Sequence, residues 1–360
     1  MYRFCVSFVL VMVLTAAAPA HALLGSGVPD IEKFKGKNQV RQTLVYIDLG
    51  MMRNGDKKWA GRIDAKLASS LMPGERVTVL SLDTANGVSE EIWSACWPDY
   101  SREEKDKISK EQGGISGFFS KNPLSSLEDE QRFFRSLLGN ALGTVYERGQ
   151  SRPATDGKRI LSALASDEDR FNKSGMVTRV IIYSDMGSLP LENNLSLDLG
   201  YSIFYIYGVD AKHAESREEW EKALMKAHGL LASFSYDLGI TSGAPVKALR
   251  YNIDYSTTKN KYLGDLVLLV TGDGKLQDSY AAIRSSQDPL ASVLRGSCKL
   301  SSGVIKINAV TRMGLATEDE HEQIELSGRE VLNGIIGHPE YKLEGKNTPA
   351  KFKLTAYPAR

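Results

Sequence analysis

Between residues 43 and 237 the chain alternates short, unbroken apolar runs with segments whose apolar residues recur every three or four positions. The runs at 43–47 (TLVYI), 76–82 (RVTVLSL), 177–183 and 201–207 (YSIFYIY) are rich in β-branched and aromatic residues, which suits strands covered on both faces. A shorter run, 91–96 (EIWSAC), reads as an edge strand closed by Trp97-Pro98. Helical spacing fills the gaps. Trp59, Ile63, Leu67 and Leu71 stand four apart, and Pro73-Gly74 stops that segment. Phe133, Phe134, Leu137, Leu138 and Leu142 form one stripe over 126–146, and Ile160, Leu161 and Leu164 another over 156–165. Trp220, Leu224, Ala227 and Leu231 predict a closing helix over 216–234, with Ser216 and Glu219 at capping-box spacing. Strand, helix, strand in this order predicts an α/β unit: a mostly parallel sheet, helices on both faces, right-handed crossovers.

After residue 237 the pattern changes. The runs 246–256, 263–270, 279–284, 304–310, 322–326 and 351–357 alternate in part and are punctuated by Gly272-Asp273-Gly274, Pro289, Ser301-Ser302-Gly303, Gly334 and Gly337. Short strands with turn signals and no helix predict a small antiparallel β-sandwich over 245–360, with the boundary among Gly239, Gly243 and Pro245. The charged stretch 101–112 and the Gly- and Ser-rich stretch that follows it to 123 read as one long solvated insertion.

The first 22 residues read as an export signal. Arg3 is the positive start, 4–18 is apolar and uncharged, and Ala20-His21-Ala22 has the spacing a signal peptidase cuts. The apolar run is shorter than the about 20 residues a membrane span needs. Residues 23–42, with Gly25, Gly27, Pro29 and Gly36, read as a linker into a domain over 43–238. No later segment is long and apolar enough to cross a bilayer. The whole chain carries Lys+Arg 45 and Asp+Glu 44, and cleavage removes one arginine, leaving the mature chain neutral. Such balance argues against nucleic acid as a partner. The expected compartment is the periplasm or outside the cell. Cys96 and Cys298 remain after cleavage, and an oxidising compartment favours a disulfide between them over two buried thiols.

Two predicted strands end in aspartate: Asp48 after 43–47, and Asp185 after 177–183 and Ser184. Between them lies Pro153-Ala154-Thr155-Asp156-Gly157. This pattern resembles the metal-ion-dependent adhesion site of von Willebrand factor A domains, and the surrounding sequence resembles their secreted bacterial members. The family's first motif is Asp-x-Ser-x-Ser; here it reads Asp48-Leu49-Gly50-Met51-Met52, a degenerate form lacking both hydroxyls. The resemblance implies a crevice beyond the carboxyl ends of the strands. There Asp48, Thr155 and Asp185 are the candidate metal ligands and Mg²⁺ or Mn²⁺ the cofactor it leaves open. Gly50 and Met52 stand at the lost ligand positions, and with Met186 they are the candidate binding surface. The plainer role for Asp48 and Asp185 is to cap turns, and for Thr155 to cap the helix after it.

The function implied is non-catalytic binding of a protein partner in the cell envelope. The alternatives are a scaffold subunit of an envelope, secretion or conjugation assembly with an inert crevice, docking through an apolar patch such as Gly117-Phe118-Phe119, and a hydrolase. Motifs do not support an enzyme: the sequence has no HExxH, no G-x-S-x-G elbow, no P-loop and no GxGxxG. His213, His228, His321 and His338 form no ligand pair, and Asp167-Glu168-Asp169 reads as a solvated helix end. Expressed with its leader in a bacterium, the protein is expected to begin at Leu23 by N-terminal sequencing; retention of residues 1–22 would make them an anchor instead.

Overall fold

The computed structural model describes residues 29–53, 56–112, 122–152, 158–173, 175–187, 196–239, 243–256, 261–284, 290–301, 304–311, 322–332, 339–346 and 353–357. Within these, only the backbone is described for 252–256, 261–262, 283–284, 290, 300, 304–305 and from 309 onward. The leader, Gly117-Phe118-Phe119, Thr155, His321 and His338 lie outside the described residues.

A six-stranded sheet has the order β3-β2-β1-β4-β5-β6. It comprises β1 (Arg41–Asp48), β2 (Arg76–Asp83), β3 (Val88–Cys96), β4 (Val177–Tyr183), β5 (Ile203–Tyr207) and β6 (Leu230–Ser235). All run parallel except β3, which pairs antiparallel with β2 as the expected edge strand. Alternate residues feed two cores. Val45, Ile47, Val79 and Ile181 meet α1 (Trp59–Ser70) and α3 (Leu127–Gly149) through Ile63, Leu67, Phe134 and Leu138. Leu44, Tyr46, Val180 and Ile182 meet α4 (Ile160–Ser166), α5 (Glu168–Phe171) and α6 (Arg217–Lys226) through Leu164, Phe171, Trp220 and Leu224. The unbroken apolar runs follow from this burial on both faces.

Two expectations change here. The predicted helix over 216–234 stops at Lys226. His228 takes a left-handed φ of 56°, and the chain continues as the sixth strand. Ala227 and Leu231 keep helical spacing, yet Leu231 packs from a strand. The capping box does not form: the Ser216 hydroxyl donates back to the His213 carbonyl at 2.7 Å. The charged stretch read as part of an insertion is instead α2 (Arg102–Gln112), a helix with no buried residue.

The second sheet is antiparallel throughout and closes on itself as β10-β11-β12-β13-β14-β7-β8-β9. Its strands are β7 (Pro245–Ser256), β8 (Lys261–Thr271), β9 (Ser279–Arg284), β10 (Leu290–Ser301), β11 (Val304–Thr311), β12 (Glu322–Leu332), β13 (Pro339–Lys346) and β14 (Lys353–Tyr357). The expected sandwich is therefore a barrel. Two strands the pattern did not reveal supply the difference. β10 carries polar and glycine positions, and β13 (PEYKLEGK) alternates with charged residues but has only Tyr341 and Leu343 as large apolar positions. Pairing of β9 with β10 completes the ring, and closure removes the open edges a sandwich keeps.

The barrel packs on the end of the first sheet where the parallel strands begin. Val177, Ile203 and Leu230 meet Val267, Leu269, Tyr280 and Ala282. A set of buried charges crosses the same seam. Arg41 pairs with Glu75 at 2.6 Å and with Asp278 at 2.5 Å; Arg179 pairs with Glu75 at 3.3 Å. Tyr205 donates its hydroxyl to Asp278 at 2.7 Å, and Arg179 donates to Thr43 and Ser70 at 2.9 and 2.7 Å. Burial would push the Asp278 carboxyl up, but Arg41 and Arg179 hold it below its ordinary value.

The expected disulfide is not formed. Cys96 is buried with Phe34 and Tyr100 beside the edge strand, and Cys298 is buried in β10; both thiols are free. Burial pushes the Cys298 thiol up to about 11, which keeps it protonated and unreactive at neutral pH.

Asp278→Ala should leave Arg41 and Arg179 with one carboxylate between them and cost about 3–5 kcal/mol in urea unfolding, the scale for breaking a buried pair. A loss within the about 1 kcal/mol of a surface pair would mean that the seam does not depend on this network.

Candidate binding crevice

The sheet order reverses between β1 and β4, so a crevice opens beyond their carboxyl ends. Asp48, the last residue of β1, is completely buried there. Its Oδ1 accepts from the Gly50 backbone N–H at 2.9 Å and the Thr84 hydroxyl at 3.1 Å. The first bond caps the single turn Leu49–Met51, one of the plain roles expected for this carboxylate. Its Oδ2 accepts from the Ser184 hydroxyl at 2.8 Å and from Lys158 Nζ.

Lys158 is the centre of the site. It follows the 153–157 stretch and precedes α4, with its side chain only 2% exposed. Its ammonium lies between the two strand-end aspartates, bonded to Asp48 and 2.5 Å from Asp185 Oδ1. The contact with Asp185 is a close ion pair. Burial alone would pull the lysine pKa down, but Asp48 and Asp185 beside it hold it above the ordinary value of 10.5. Asp185 is held in place by a left-handed turn, with Met186 at φ 65° and Gly187 at φ 56°, and the Met186 N–H donates to Ser184 Oγ at 3.1 Å.

Asp48 and Asp185 thus converge as the strand-end pattern predicts, and Thr155 lies outside the described residues. Gly50 contributes a backbone N–H, but Met52 and Met186 are buried in the two cores and offer no surface to a partner. Gly149 shows how tightly Met52 is held: a Cβ there would lie 2.8 Å from the Leu49 carbonyl oxygen and closer still to Met52. Lys158, Thr84 and Ser184 were not singled out from sequence. The available signal was chemical: a motif that has lost two oxygen ligands but kept both carboxylates needs another counter-charge, and Lys158 is the cation next to the middle loop.

These residues do not fit a divalent ion as arranged. The ammonium takes the place between the carboxylates, and a second cation there would meet its charge at close range. Among the described residues, no group of three or more His, Cys, Asp or Glu is placed to hold a metal. Beside the crevice a groove of about 500 Å³ runs from Leu49 past Asp83 and Glu90, with Arg148 and Arg152 on its rim. Asp185, 24% exposed, is the one member of the charged trio open to a partner. His213 and His228 sit elsewhere, on loops against Asp210 and Asp198. The acidic residue Asp167 is not merely solvated, since it accepts from Tyr46 at 3.0 Å. No helix among the described residues is long and apolar enough to cross a membrane.

No family model matches the chain, and no curated protein matches it.

Lys158→Met should strand two carboxylates around a neutral side chain and cost about 3–5 kcal/mol in denaturant unfolding. Adding Asp48→Asn should recover part of that loss by removing one of the stranded charges. Because the folded lysine pKa is raised, its contribution is complete below 10.5 and disappears as pH climbs beyond that value. A pH profile of wild type minus Lys158→Met that is flat across pH 9–12 would rule the ion-pair role out.

Proposed function

We propose that the chain is an exported, non-catalytic protein-binding protein built on a von Willebrand factor A-like sheet, with a crevice that works without metal. The observation that carries this reading is the buried Lys158 ammonium between Asp48 and Asp185. An A-type site uses a cation to organise carboxylates at a sheet's switch point; here a cation tethered to the chain does that work. Support for the A-like fold is the strand order with its reversal at β1 and β4, the antiparallel edge strand β3, and the two aspartates where those central strands end. A tethered ammonium has no open coordination position, so recognition through a partner's acidic side chain on a metal is not the mode. The partner instead meets Asp185 and the Arg148–Arg152 rim of the adjoining groove.

One observation favours the alternative of a structural subunit with an inert crevice: Asp48 and Lys158 are almost wholly buried, leaving Asp185 alone to offer polar contact. The two readings share the metal-free site and separate on Asp185.

Calorimetric titration of the mature protein with Mg²⁺ and Mn²⁺ is expected to give no saturable heat into the millimolar range. Micromolar binding that vanishes in Asp48→Ala would sink the metal-free reading. Asp185→Ala should then weaken capture of the envelope partner about tenfold, the scale of one charge-assisted contact; unchanged capture with unchanged stability selects the inert scaffold.

A further inference from the structure

The seam between the two sheets holds more buried positive than negative charge. Arg41, Arg179 and Lys66 are all within 2% of complete burial, and among the described residues only the buried carboxylates Glu75 and Asp278 oppose them. The arginines take both carboxylates. Lys66, from α1, donates instead to the Gly239 carbonyl at 2.8 Å and lies 4.8 Å from the Tyr205 ring centroid. Its interactions include no ion pair with a carboxylate among the described residues.

Lys66 does not face solid protein. It lines a cavity of about 440 Å³ between the first sheet and the barrel, together with Tyr205, Gln277, Asp278, Lys275 and Arg295. Lys275 is matched by Asp273 at 3.0 Å. Arg295 spends one N–H on the Ala232 carbonyl at 2.7 Å and has no ion pair with a carboxylate among the described residues. The cavity therefore holds the Lys66 ammonium and the Arg295 guanidinium, neither within ion-pair distance of a carboxylate among the described residues, with the Asp278 carboxylate, already paired with Arg41, on the same wall. Its volume is that of a small-molecule site. A buried charge without a partner is costly, and a bound counter-ion is one way to relieve it.

We propose that this seam cavity binds a small molecule through its oxyanion, a carboxylate or a phosphate group, held between Lys66 and Arg295. The site is at the opposite end of the strands from the Asp48 crevice and does not depend on how that crevice functions. The oxyanion accepts from the Lys66 ammonium and from the free edge of the Arg295 guanidinium, the pairing that charge-assisted bonds favour. Burial, and then the Arg179 charge, pull the Lys66 pKa down to about 8, with Asp278 opposing the shift and Arg41 adding to it. A bound anion pushes it back up, so binding near that pH takes up a proton.

The test is calorimetry on the mature chain with inorganic phosphate and, separately, succinate, at pH 8 and ionic strength held constant with chloride. Saturable binding is expected for at least one anion, with heats that vary with the ionisation enthalpy of the buffer. Phosphate alone, succinate alone, or both would support the proposal and name the ligand class. Lys66→Met should weaken binding about tenfold or more and abolish the buffer dependence. Arg295→Gln, at an exposed position, should weaken binding several-fold. No saturable binding of either anion, or binding unchanged in Arg295→Gln and in a folded Lys66→Met, would overturn it.

Discussion

Arg41, Glu75, Arg179 and Asp278 are buried side chains that meet where the two sheets meet, and the rest of the molecule is arranged around that fact. Two of the charges come from strands whose middles are apolar, β1 and β4. A parallel sheet with arginines at the start of its central strands cannot cover that end with hydrocarbon alone. Glu75, from the turn before β2, supplies one counter-charge, and Asp278, from the link between β8 and β9, supplies the other. Each charge is tolerated only because the others are there, since a lone buried ion costs several kcal/mol, on the order of what a domain has in reserve. The barrel is thus more than an appendage: its carboxylate completes the electrostatics of the first sheet. The apolar contacts of Val177, Ile203 and Leu230 with the barrel lie in the same seam.

The same strands carry the crevice at their other end, and the solution there is related. Asp48 and Asp185 come together because β1 and β4 are neighbours and both stop at the switch point. Two carboxylates so placed require a cation. A divalent ion would make the site depend on metal supply; Lys158 is part of the chain, so its local concentration is fixed and its charge persists through the whole neutral range. What this arrangement gives up is an open coordination position, and with it the strongest means of gripping a partner's carboxylate. That loss is why the proposed contact shifts to Asp185 and the neighbouring groove.

Residue spacing made the α/β part legible. Apolar runs and four-residue stripes report burial over a few neighbours, and β1, β2, β4, α1 and α3 lie within a few residues of their expected bounds. Misreadings occurred where one local pattern served two outcomes. The stripe through Ala227 and Leu231 fits a helix, yet the chain turns at His228 and enters β6. β13 escaped because its residues are mostly polar, and β10 because glycine and polar positions interrupt its apolar ones.

What the sequence determined by itself was the run of β1 to β5 with α1, α3 and α4 among them, and the placing of Asp48 and Asp185 at strand ends, because each depends on residues next to it in the chain. Only the tertiary structure decided which charges answer which. Lys158 stands 110 positions from Asp48, and Asp278 stands 237 from Arg41. It also decided that the second sheet closes through β9 and β10, and that Cys96 and Cys298 are buried in different places. Partners so far apart are chosen by which surfaces pack together, and a buried charge takes whichever opposite charge that packing brings within reach.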